Sequence, residues 1–368
     1  MENKRKESVS ASLVGALTLG AFFLILCSSD VAIEYMKKGL VLCAGTVIPS
    51  LFPFMVISEL IVSSGIGIRI SRFFRRPMRV LFSVSEAGAS AFLLGTVCGF
   101  PIGAATAASM HDKGIISKDE LEHFLIFCNN PGSAFVISAV GASLFGNEKL
   151  GLLLYFSVIL SSVAVGAVGR LFFRKTKKSG VAVTLSVPSR DMTSRITDAI
   201  RSSATSMLTV CAYVLFFSAL VGCIGAVLER FSLPDWVRAL IFGFFELSSG
   251  AKAASGISDP TGAIVLCALF LGWSGLSVHL QIMSVCSGRG ISFKPYIIAK
   301  AAQGVISATV TFLALKFLFP SLRGGSIGTF SPSDTALSKV LYALSVAFFI
   351  GSVVFLICER LCDKKNKK

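Results

Sequence analysis

The sequence predicts an all-α polytopic membrane protein, with about eight transmembrane helices plus two re-entrant hairpins in an inverted repeat. Three observations carry that prediction. The 368 residues are 54% hydrophobic and only 15% charged, with a positive mean hydropathy, whereas soluble domains are about a quarter charged. Apolar runs of about twenty residues, the length that spans a bilayer as helix, recur along the chain. The basic residues behind the net charge of +15 gather in short clusters between those runs. There they set orientation, so the charge is no nucleic-acid signal.

In chain order, Lys4-Arg5-Lys6 precedes an apolar run, Val9–Cys27. No small-residue cleavage site follows, so the run reads as a retained first span. Ser28–Lys38 reads as a polar link. Leu40–Val62 is a second span, kinked by Pro49 and Pro53. Glu59, near its end, reads as an interfacial carboxylate. Arg69, Arg72, Arg75, Arg76 and Arg79 mark the cytoplasmic side. Ala87–Met110 is rich in small residues and interrupted by Gly99-Phe100-Pro101-Ile102-Gly103, which leaves each half too short to cross. Ser117-x-x-Glu120 is a capping box opening a helix. That helix runs to Cys128, breaks at Asn129-Asn130-Pro131-Gly132-Ser133 and restarts. His111 and His123 read as surface residues. Leu150–Phe173 is a further span, closed by Arg174, Lys175, Lys177 and Lys178.

The pattern then repeats. Ser179–Arg190 is a linker, and Asp191–Ser203 reads as a helix along the surface. Ala204–Leu228 is a span, and Ala239–Ser255 is Gly/Ser-rich and too short to cross twice. Thr261–Cys286 is interrupted by Gly272-Trp273-Ser274-Gly275. Phe293–Phe319 and Leu337–Ile357 are spans, and the tail ends in lysines. The divisions are 1–38, an N-terminal helix and link; 39–178, a first repeat; 179–203, a linker and surface helix; 204–320, a second, inverted repeat; and 321–368, a C-terminal helix and basic tail. Reading Ala87–Met110 as re-entrant leaves two crossings between the basic clusters, so both fall on one side, and both termini are cytoplasmic. The second hairpin then enters from the opposite face.

Broken backbone is tolerated at membrane depth only inside protein or against a wet cavity. Helix halves that start there aim free N–H groups and partial positive charge at the cavity. The expected substrate-binding residues are therefore Gly99, Phe100, Pro101, Gly103, Asn129, Asn130, Gly132 and Ser133 in the first half. In the second half they are Glu246, Ser248, Ser249, Lys252, Trp273, Ser274 and Ser277. Lys252 is the expected cation, with Glu246 as its partner or a relay; Trp273 offers a stacking face. His279 is more often a packed core histidine than a titrating group. The ten cysteines show no CxxC pair and read as small buried hydrophobes. No metal site, cofactor or catalytic motif is expected, and no P-loop for an ATP-driven pump.

Phe100-Pro101-Ile102-Gly103-Ala104 and Phe127-Cys128-Asn129-Asn130-Pro131-Gly132, with Pro49-Ser50-Leu51-Phe52-Pro53-Phe54, resemble the sporulation integral membrane protein YlbJ family. That family carries a nucleoside-recognition (Gate) domain related in outline to concentrative nucleoside transporters. The resemblance covers roughly Leu40 to Phe319. It implies a non-enzymatic transporter in the outer forespore membrane that moves dipicolinate, a small anionic aromatic solute, during sporulation. The implied partners are that solute, the lipid bilayer and other sporulation proteins, with an oligomer allowed and no nucleic acid. An ion-coupled nucleoside carrier and a non-transporting scaffold for spore-envelope assembly are the alternatives.

Overall fold

A computed structural model describes residues 15–16, 18–63, 74–173 and 191–324. The expected last span, Leu337–Ile357, the linker at 179–190 and Arg69 and Arg72 lie outside the described residues. Within them the chain is helical, without strands. Four helices are long and apolar enough to cross a membrane by length and composition: Glu148–Gly169, Met192–Leu228, Pro260–Val285 and Lys294–Leu318. The chain is an integral membrane protein on that evidence.

The opening helices are α1 (Thr18–Cys27), α2 (Ser29–Leu42) and α3 (Ile48–Ser63). The expected polar link at Ser28–Lys38 is instead helix, and the chain turns sharply, by 97°, where α1 meets it. The reason is visible in the residues: the stretch has no Gly or Pro after Ser28, and Glu34 and Lys38 pair one turn apart at 2.6 Å. Between α2 and α3 one π-turn, Cys43–Val47, precedes Pro49. It takes up the backbone disturbance that a proline imposes on the preceding turn.

The first hairpin is α4 (Ala89–Val97) and α5 (Ile102–Asp112). The first broken span is α6 (Lys118–Leu125) and α7 (Phe135–Leu144, wound as a π-helix). Ser117 and Glu120 form the capping box, and Glu120 also accepts the Ser85 N–H at 2.8 Å, tying α6 to the entry of the hairpin. The unbroken α8 (Glu148–Gly169) follows, capped by Asn147.

In the second half, α9 (Met192–Leu228) is one helix of 37 residues. Asp191–Ser203 was expected along the surface. It joins the span because Ala199, Ser203, Met207 and Val210 are buried at helical spacing. Then come α10 (Asp235–Phe245) and α11 (Leu247–Ser255), separated by Glu246 alone, followed by α12 (Pro260–Trp273) and α13 (Leu276–Val285), separated by Ser274 and Gly275, and α14 (Lys294–Leu313).

The halves interlock. α5 of the first hairpin packs on α13, the distal part of the second broken span; α11 of the second hairpin packs on α7, the distal part of the first. α8 and α14 pack on each other, and α6–α14 mirrors α12–α8. Both hairpins close on a glycine pair. A Cβ on Gly103 would lie 3.0 Å from Gly95 Cα, and one on Gly250 would lie 2.2 Å from Gly243 Cα. Two apolar cores result. One joins the first hairpin to Val278, Ile282 and Tyr296. The other joins the second hairpin to Val136, Val140 and Leu154.

At one end of the molecule Arg289 pairs with Asp112 at 2.6 Å, and Ser292 N–H donates to Glu122 at 2.8 Å. The loops after α5 and after α13 therefore meet at one end of the molecule. His123 is not a surface residue: it is buried, stacked on Phe173 and hydrogen-bonded to the Gly166 carbonyl. Its place on the apolar inner face of a short amphipathic helix decides that.

Candidate functional site

The two breaks of the first half hold each other. Phe100 N–H donates to the Asn130 carbonyl at 2.9 Å. Gly99 lies against Gly132: with φ at +91° and a would-be Cβ 2.4 Å from Gly132 N, only glycine fits. Pro101, at the start of α5, and Ala134, at the start of α7, make no side-chain cap bond. Two helix starts therefore face this junction with their positive ends uncovered by side chains. Ser133 turns aside and donates to the Val97 carbonyl.

A buried polar network closes over the junction. Asn130 Nδ2 donates to the Phe127 carbonyl and to Ser162 Oγ, both at 3.1 Å. Asn130 Oδ1 accepts from Gln303 Nε2 at 2.8 Å, and Gln303 Oε1 accepts from Lys300 Nζ at 2.9 Å. Lys300 Nζ also donates to the Asn129 carbonyl at 3.0 Å. Lys300, Gln303 and Asn130 are fully buried. Every partner of the Lys300 ammonium is a neutral oxygen, and no carboxylate pairs with it among the described residues. A buried ionisable group without an opposite charge is costly, which makes Lys300 a candidate functional residue.

One turn before Lys300 on α14, Tyr296 meets His279 at 2.9 Å, and the His279 ring meets Trp273 edge-on at 4.3 Å between centroids. Trp273 also stacks on Phe244 and donates to its carbonyl. Ser274 has φ at +78°, strained for a residue other than glycine. Three buried polar atoms here, Asn129 Oδ1, Ser274 Oγ and His279 Nε2, have no hydrogen-bond partner among the described residues. Such orphans are rare in packed interiors.

The second half is built differently. Glu246 is itself the cap of α11, its carboxylate accepting from Ser248 N–H at 2.9 Å and Ser249 N–H at 2.6 Å. Gly275 rests on the Glu246–Leu247 backbone.

Of the residues expected from sequence, Gly99, Phe100, Pro101, Asn129, Asn130, Gly132 and Ser133 come together at the first junction. Gly103 forms the hairpin crossing beside the Cys128 carbonyl. Trp273, Ser274 and the buried Ser277 sit at the second broken span. Glu246, Ser248 and Ser249 form one cap. Lys252 is exposed and not paired with Glu246 among the described residues, whose carboxylate is engaged by backbone. The residues not foreseen are Lys300, Gln303, Ser162 and Tyr296. A lysine in mid-run between Phe293 and Phe319 was the signal that could have found them.

The curated Sporulation integral membrane protein YlbJ of Bacillus subtilis (strain 168) is 29% identical to this chain over 349 residues, covering 84% of the chain and 85% of that protein. The chain is similar to that protein along most of its length. It matches no family model and no solved structure. Phe100–Ala104 and Phe127–Gly132, two of the stretches on which the sequence resemblance was read, meet at the first junction.

Proposed function

We propose that this chain acts in sporulation as a transporter or facilitator for a small aromatic carboxylate, dipicolinate, in the membrane surrounding the forespore, with both termini on the cytoplasmic side. One observation carries the reading: among the described residues Lys300 is buried without a carboxylate partner, beside two helix starts that no side chain caps. A planar dianion supplies the charge this place lacks. Helix starts bind anions through backbone N–H groups and the aligned peptide dipoles, and a broken-helix site between repeats is where secondary transporters bind cargo. Trp273, Tyr296 and His279 add aromatic surface nearby. The relative in Bacillus subtilis is named as a sporulation membrane protein, which sets the cellular context. On this reading the hairpins α4–α5 and α10–α11 are re-entrant from opposite faces.

The test is genetic and chemical. In a sporulating host lacking its own copy, the wild-type chain restores spore dipicolinate and Lys300→Met at equal abundance does not. Full dipicolinate in spores without any copy would reject the role. Normal dipicolinate with both Lys300→Met and Asn130→Ala would favour a scaffold, and uptake of uridine into proteoliposomes a nucleoside carrier.

A further inference from the structure

A cavity of about 300 Å³ lies between α3, α5, α9 and α13, outside the network just described. It follows α5 along its whole length, from Asp112 at the loop end to Ile102, the first residue after the break. At 1.5 Å per residue that is a descent of about 15 Å. Its walls are hydroxyl-rich: Ser58, Thr106, Ser109, Ser202 and Ser206 face it. Ser58 and Thr106 bond to each other at 3.0 Å across the α3–α5 contact, and the hydroxyls of Ser109, Ser202 and Ser206 offer partners to water or a polar solute. The volume is at the low end of small-molecule sites. Its mouth holds Arg289, whose Nε and Nη2 both grip Asp112, at 2.8 and 2.6 Å. The other nitrogen of that fork donates to the Val285 and Ser287 carbonyls and fixes the guanidinium in place.

We propose that this cavity is the loading vestibule for the solute, that Arg289 is its first docking group, and that Asp112 holds the guanidinium fork until a carboxylate of the cargo takes it. This rests on the reading of the cargo as a carboxylate anion. A planar fork matches a carboxylate with two parallel hydrogen bonds, and the internal Asp112 already shows that match. Exchange of one carboxylate for another at Arg289 costs little and releases α5 from the loop after α13. The cargo then moves down the hydroxyl wall to Ile102 and the first junction.

The probe is dipicolinate and the readout is protection of an introduced thiol. Ser206→Cys in the purified full chain, in detergent, should react with a small water-soluble thiol reagent. Dipicolinate should slow that reaction at least fivefold, and Arg289→Lys, which keeps the charge and loses the fork, should raise the concentration needed about tenfold. Asp112→Asn should lower it. Protection should persist with Lys300→Met, because the vestibule comes first. Should Ser206→Cys fail to fold, Ser109→Cys on the opposite wall serves the same test. A thiol that does not react, or that dipicolinate does not protect, overturns the vestibule even where the wild type transports. Protection without any transport keeps the vestibule and removes the transport reading.

Discussion

The first and second junctions occupy equivalent places in an interlocked frame, yet their chemistry differs. At the first, two helix starts lack side-chain caps, and α8 and α14 both reach in: Ser162 from one, Lys300 and Gln303 from the other. At the second, the chain supplies its own anion, the Glu246 carboxylate, to the start of α11. The first junction presents two helix starts without side-chain caps beside the Lys300 amine, and the second is closed by its own carboxylate. The order of helices and breaks is alike in the two halves, and the side chains at the breaks differ; on the proposed transport reading, those side chains decide which break binds. Cargo affinity should concentrate at the first junction, with the second as its structural mate.

The largest effect separates the two lysines. Lys300→Met should lower dipicolinate transport about 100-fold, since removing one member of a buried charged network costs about 3 kcal/mol. Lys252→Met, on the exposed side of the second hairpin, should stay within about twofold, as surface substitutions do. Uptake measured side by side in proteoliposomes decides it. Equal loss in both would erase the distinction between the junctions.

The sequence made the frame legible and the site only half so. Gly and Pro at 99–103 and 129–133 mark breaks because they act locally, on the backbone that carries them. The hydrogen bond from Phe100 to Asn130 follows from two breaks lying near each other. Lys300 was hidden for the opposite reason: α14 is unbroken, and its polar side chains matter only through partners elsewhere in the chain, Asn129 and Asn130 in the first break and Val158 on α8. Lys252 was misleading because a charge in a short Gly/Ser helix looks buried until the hairpin's exposed side is known. The helical Ser28–Lys38 and the long α9 show the same limit, since a polar stretch reads as a link or a surface helix until its packing face appears.

The hairpin crossings should behave alike where the junctions do not. A Cβ on Gly103 would meet the Cys128 carbonyl oxygen at 2.0 Å, and one on Gly250 would meet Gly243 Cα at 2.2 Å. Both contacts are backbone and cannot swing away. Gly103→Ala and Gly250→Ala should each destabilise by about 1–3 kcal/mol through overpacking. Thermal unfolding in detergent should fall similarly for the two. A loss confined to Gly103→Ala would mean that the second hairpin does not close as the first does.

Removing the internal anion tests the asymmetry from the other side. Glu246→Ala should cost about 1 kcal/mol of stability as a lost helix cap. Dipicolinate affinity should change by less than about twofold, a shift of roughly 0.4 kcal/mol. Affinity rising tenfold would show that the second junction binds anions once its own carboxylate is gone.

The smallest effect lies at the two loop ends, where an aspartate closes the first hairpin and another follows the second. Asp259 caps α12 through the Thr261 and Gly262 N–H groups, whereas Asp112 is held by Arg289. The Arg289 hydrogen bonds and charge hold the Asp112 carboxyl below its usual range. A carboxyl lowered on folding adds stability above its unfolded value, about 3.9, and that stability is lost as pH falls through the lowered folded value. The Asp112 side chain is half exposed, so the gain is under about 1 kcal/mol. The difference in thermal stability between wild type and Asp112→Asn should therefore stay constant from pH 8 to about pH 5 and shrink only below about pH 4. A difference that disappears near pH 6 would mean that Arg289 does not hold Asp112 in the folded protein, and the mouth of the vestibule would stand open at rest.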